Sequence, residues 1–248
     1  MTITRRATLF SALLAAPLLC SLALAPLAAQ AATSGSGHSA TETRSLAEFQ
    51  AISLAGSMDL TVRQGPQQVQ VQADDNLLPL LETSVESGKS GATLVVRWKK
   101  GENVYTRSKL LITVTVPKLS AVKASGSGDI HVEAFSTPAL QLSLSGSGDA
   151  KLDNLKTDDL AVAISGSGDV SAKGMATKLS VSIAGSGDVR LTDLRADDVD
   201  VSIAGSGDAA VNAQKTLNVR VAGSGDVTYT GNAAVNSKIA GSGSVTRK

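Results

Sequence analysis

Six aspartates recur along the second half of the chain at nearly constant spacing: Asp129, Asp149, Asp169, Asp188, Asp208 and Asp226. If the repeats stack, these side chains form a column with rungs about 4.8 Å apart. Calcium takes several oxygen ligands, carboxylates among them, so the column is one candidate calcium site. The preferred reading is a structural ladder. Two solvated charges at that distance repel by about 1 kcal/mol, and something must offset this. His131, Lys151 and Arg190 follow the aspartate by two residues in half of the copies and supply local countercharge. Aspartate also bonds backbone groups at bends.

Two acidic pairs, Asp158-Asp159 and Asp197-Asp198, occupy equivalent places two repeats apart. Paired carboxylates carry glycoside hydrolysis. The intervening repeat has Thr177-Lys178 there, so no continuous acidic groove follows, and the pairs read as corner residues. The two histidines, His38 and His131, lack a third ligand for zinc. Trp98 reads as core, and six aromatic residues in all make a poor stacking platform for sugars or bases. Gly-Ser-Gly is no phosphate loop, because no helix follows it. No catalytic or cofactor-binding residue is assigned, and no cofactor is expected.

The elements that place these residues follow from the repeat itself. Gly-Ser-Gly-Asp begins at Gly126, Gly146, Gly166, Gly185, Gly205 and Gly223, with variants at Gly241 and, far upstream, at Gly56-Ser57-Met58-Asp59. Steps of 18–20 residues mean one unit stacked on itself. Within a unit the alternation has period two: Leu160, Val162, Ile164, Gly166, Gly168, Val170 and Ala172 share one phase. That is a strand signal running through the glycines. It places both glycines inward, with serine and aspartate outward. Met58 stands in the second glycine's place, so that position does not demand a positive φ in every coil. Phe135, Leu155, Met175 and Leu194 form a second expected inward mark, six residues after the aspartate. Each coil then reads as two or three short strands separated by corners. The fold class is all-β, a parallel β-helix (solenoid) with coils of about 18–20 residues. Residues 44–120 are an irregular β region that extends or caps its N-terminal end, and 121–248 are the regular repeats. The last copies lose inward apolar residues at Ser237 and Arg247, as a terminal cap would.

Residues 1–31 read as a signal peptide: Arg5-Arg6, an apolar run, then Ala29-Gln30-Ala31. Sec export is preferred over the twin-arginine route. Cys20 follows Leu19, which disfavours lipidation, and cleavage after Ala31 leaves no cysteine. Ser/Gly-rich residues 32–43 read as a flexible leader. Without Arg5 and Arg6 the balance is 21 basic to 22 acidic residues, which argues against a nucleic-acid or polybasic membrane surface. No segment after the signal is long and apolar enough to span a bilayer.

Residues 44–245 resemble the putative auto-transporter adhesin, head GIN domain family of bacterial envelope proteins. The resemblance rests on Phe49-Gln50-Ala51-Ile52, Gly56-Ser57-Met58-Asp59, Asp74-Asp75-Asn76-Leu77-Leu78, Leu94-Val95-Val96 and the Gly-Ser-Gly-Asp copies. It implies a right-handed β-helix in an exported protein and transfers no catalytic residue. The expectation is a non-enzymatic, exported, adhesin-like or cell-envelope interaction module, in the periplasm, on the outer surface or secreted. Its partner would be an envelope, glycan or cell-surface ligand. A periplasmic scaffolding protein is the alternative; a polysaccharide-active enzyme using the corner aspartates is a further one.

Overall fold

The computed structural model describes residues 32–88 and 91–248; residues 1–31, expected to be a signal peptide, and Cys20 within them lie outside the described residues. The period-two alternation becomes strand, and the strands stack in parallel with like residues in register. Phe135–Gly146, Ala150–Gly166, Val170–Gly185, Val189–Gly205 and Ala209–Gly223 each pair with the next. Leu142, Val162, Val181, Val201 and Val219 face one another down the stack and are buried. The core is therefore a set of aliphatic columns inside a parallel β-helix. Each added coil buries its inward side chains against the previous one, which is how a solenoid gains stability.

The coils contain fewer breaks than the alternation suggests. A single strand of 15–17 residues runs round most of each turn from Ala150 to Gly223, interrupted only at Ser-Gly-Asp. The other corner is a bulge: register slips between Leu152 and Leu155, Ser171 and Gly174, and Leu191 and Arg195. A bulge bends a strand without ending its ladder.

From Gly126 onward both glycines of each repeat pass too close to the neighbouring coil's backbone for a Cβ, and they differ in conformation. The first has φ between 129° and 146° from Gly56 to Gly241, a region that favours glycine. It is half-exposed at the outside of the bend, not inward as the phase suggested. The second is buried and has no positive φ; it is required by close approach, since a Cβ on Gly148 would stand 2.1 Å from the Gly128 carbonyl oxygen. Met58 is tolerated there because the coil beneath is incomplete. Its strands Gly91–Trp98 and Leu111–Val116 are joined by residues 99–110, which leave the stack to pair Val104–Tyr105 with Thr33–Ser34. Beside Gly56 the space is filled by Met58 and Trp98 side chains.

The N-terminal part breaks the sequential order. Ala51–Ala55 lies between Gly91–Trp98 and Ala121–Gly126, and Asp59–Gln64 between Leu111–Val116 and Ile130–Val132. Antiparallel strands Leu81–Gly88 and Gln68–Asp74 then cover the end of the stack. Residues 32–43, expected as a flexible leader, instead supply strand. Ser39–Arg44 pairs antiparallel with Gln68–Asp74. The buried Asp74 carboxylate ties the turn down, accepting from the Gly37, Arg107 and Ser108 amides at 2.8–3.1 Å and from Ser108 Oγ at 2.9 Å. A polar, Gly-rich segment orders here because the sheet edge and this carboxylate satisfy its backbone. At the other end, Ser237 and Arg247 do fall in inward columns. They do not cover it: Ala234–Gly241 is exposed throughout, with Val235 and Ile239 among its uncovered apolar side chains.

Candidate functional site

The six sequence-selected aspartates stand in one column, as their spacing requires, and each is built into the scaffold. Oδ1 of one rung accepts the backbone N–H of the aspartate on the next coil. Asp129 donates to Asp59, Asp149 to Asp129, Asp169 to Asp149, Asp188 to Asp169, Asp208 to Asp188 and Asp226 to Asp208, at 2.8–3.1 Å. Ser244 closes the column on Asp226 at 2.7 Å. In the opposite sense, the residue after each aspartate donates its N–H to the next aspartate's carbonyl, as Ile130 does to Asp149. Neighbouring coils are thus clamped twice at each rung. Asp59 and Ser244, the first and last rungs, went unassigned in the sequence, although the upstream Gly-Ser-Met-Asp copy carried the signal for Asp59.

Only part of the expected countercharge reaches the column. Arg190 bridges two rungs, with Nη1 2.8 Å from Asp169 and Nη2 3.1 Å from Asp188. Burial pushes the Asp169 carboxyl up, but the Asp188 amide and the Arg190 guanidinium outweigh it and hold it below the usual carboxylate range. His131 and Lys151 turn away from the ladder; both contact Asp153, at 2.9 Å each. Those two hydrogen bonds lower the Asp153 pKa. A calcium ion needs six to eight oxygens around one point. The ladder supplies single carboxylates already committed to amides, and no group of three or more His, Cys, Asp or Glu side chains converges among the described residues.

The acidic pairs lie at a different corner. Asp158 and Asp197 line one wall of an open groove of about 550 Å³. Thr177 lies between them, so they stand two coils, about 10 Å, apart. Asp159 and Asp198 occupy the adjoining column with Lys178 between them. Asp197 is paired with Lys215 at 2.9 Å, and Asp198 accepts from Thr216 Oγ1 at 2.6 Å. The structure therefore does not gather the four carboxylates around one bond.

The opposite wall contains a residue misplaced by sequence reasoning. Met175, expected inward, is 54% exposed. The coil is a residue short, and Gly174, at φ 134°, takes the inward slot opposite Leu155 and Leu194. Met175 is thereby turned outward, in register between Lys156 and Arg195. Those two cations make no ion pair among the described residues, whereas Arg63, Lys151, Lys173 and Arg190 on another face are all paired. A thioether between two free cations, opposite hydroxyls and carboxylates, can bind a ligand with apolar and charged parts.

The head GIN domain family, described as putative auto-transporter adhesin, matches residues 48–233. A crystal structure of a putative adhesin from Bacteroides fragilis NCTC 9343 aligns with a TM-score of 0.80 at 26% identity, covering 87% of this chain and 99% of that one. A putative adhesin from Parabacteroides distasonis ATCC 8503 aligns at 0.69 and 27% identity, over 88% of this chain and 100% of that one. A putative lipid binding protein from the same organism shares the fold at 0.73 and 24% identity, over 88% and 100%. A search of curated proteins returned no match.

Proposed function

We propose that this chain, which belongs to the head GIN domain family, is an exported, non-enzymatic, adhesin-like module of the cell envelope. The corner groove is the observation that carries the reading. On the ladder face the solenoid spends its polar groups on itself: carboxylates hold amides of the next coil, and neighbouring charges pair. At this corner Lys156, Arg195 and Asp158, around the exposed Met175, make no ion pair among the described residues. Polar groups left free on a rigid scaffold suit recognition, and the corner acids lack the convergence that hydrolysis requires. The adhesin descriptions of similar proteins support the same reading. Among the described residues no helix is long and apolar enough to cross a membrane.

Deletion of the gene is expected to weaken whole-cell adherence to glycan, matrix or cell layers, and protease added to intact cells is expected to cleave the protein. Unchanged adherence over a broad panel would overturn the adhesin reading. Full protection from protease would favour a periplasmic scaffold instead.

A further inference from the structure

The groove points to a ligand class. Its cationic wall repeats along the solenoid axis: Lys156, then Met175 one coil on, then Arg195 after a second coil. Parallel coils are about 4.8 Å apart, so the cations are set about 10 Å from one another along a straight line. The facing wall is Pro138, Asp158, Thr177 and Asp197, the last neutralised by Lys215.

We infer that this groove binds a linear acidic glycan lying along the solenoid axis, with anionic groups on alternate sugars. The two cations meet successive acidic groups, and the intervening neutral ring lies on the Met175 thioether. This rests on the adhesin-like reading and names its ligand. Several features favour a glycan over other polymers. The groove is shallow and open and offers no enclosed cavity for an acyl chain. Its floor cannot extend a peptide by strand addition, because the backbone of residues 150–166, 170–185 and 189–205 is already paired on both sides. Hydroxyls of Ser136 and Thr177 and the apolar surfaces of Pro138 and Met175 match the mixed faces of a sugar ring. Asp158 supplies selectivity. It stands across from Lys156 without an ion-pair partner among the described residues, and it repels a chain that is anionic at every unit.

The probes are hyaluronan, which is carboxylated on alternate sugars, densely sulfated heparin, neutral dextran and polyglutamate. Binding to the purified protein is measured at two salt concentrations. Hyaluronan is expected to bind, to weaken as salt rises, and to exceed the other three. Removing one solvated charge contact is worth about 1 kcal/mol, so K156Q or R195Q should weaken binding about fivefold, and the double variant about 25-fold. M175S should weaken it without changing the salt dependence. All three positions are exposed, so melting temperatures should remain at the wild-type value. Absent hyaluronan binding, equal binding of all polyanions, or tighter binding of polyglutamate would each overturn the inference. The same variants are tested in whole-cell adherence. If gene deletion abolishes adherence while K156Q/R195Q retains it, the groove assignment fails and the adhesin reading stands. If deletion has no effect, the adhesin reading itself fails.

Discussion

Asp149 provides a test of sign for the aspartate ladder, because two opposing effects act on one side chain. Its Oδ1 accepts the Asp169 amide at 2.8 Å. A hydrogen bond to a charged group contributes about 1.5–3 kcal/mol, and to a neutral one about 0.5–1.5. Against this, Asp129 and Asp169 flank it, and each repels it by about 0.9 kcal/mol across about 4.8 Å of water. At physiological salt, screening over about 8 Å reduces that to about 0.5 kcal/mol each. Asp149→Asn keeps an acceptor, loses about 1 kcal/mol of bond strength and relieves about 1 kcal/mol of repulsion. It should fall within about 0.5 kcal/mol of wild type. Asp149→Ala loses the whole bond, about 2 kcal/mol, for the same relief, and should destabilise by about 1 kcal/mol. For a domain of this size that is a fall in Tm of about 2–4 °C. In about 1 M salt, with a Debye length of about 3 Å, the repulsion falls to about 0.2 kcal/mol per neighbour, and both variants should then lose about 0.6 kcal/mol more relative to wild type. Urea unfolding of the three proteins at both salt concentrations measures this. Equal stability of the Ala and Asn variants would refute the side-chain-to-amide clamp. A stabilising Asp149→Ala would show that the column is held together despite its aspartates.

Gly166→Ala places a Cβ 2.2 Å from the Gly146 carbonyl oxygen at φ 146°. Backbone strain and parted coils should together cost about 3–5 kcal/mol, against about 1 kcal/mol for Gly101→Ala, where φ is 87° and the space is open; thermal unfolding compares the two. Burial raises the Asp74 pKa, but the amides of Arg107, Ser108 and Gly37 and the Ser108 hydroxyl bring it to about 2. A depressed folded value means this stabilisation is complete above the ordinary aspartate value of 3.8 and is lost as pH falls through about 2. Hydrogen exchange over residues 33–44 should therefore accelerate across that window, and Asp74→Asn, which turns an amide donor toward existing donors, should accelerate it at neutral pH. Millimolar calcium or a chelator should leave Tm unchanged if the ladder serves the backbone alone; a rise with calcium, by linkage, would restore the metal reading.

The repeat period, the inward phase of residues such as Leu142 and Ile164, and the outward aspartates were readable from the amino-acid order. Each depends on local alternation and on like residues stacking at equal spacing, and both are properties of one chain read in one direction. Three features depend on contacts between distant segments. The leader becomes strand only because Gln68–Asp74 offers an edge and Asp74 a carboxylate. The aspartates' partner is an amide one coil away, which no spacing within a single repeat can identify. The shortened coil could have absorbed its missing residue at either corner. Packing against Leu155 and Leu194 put Gly174 in the inward slot and turned Met175 out between Lys156 and Arg195. The sequence by itself determined a solenoid and its polar columns, because periodicity is local. Which side chains remain free for a ligand was decided by register between coils, and that exists only once the chain has wound upon itself.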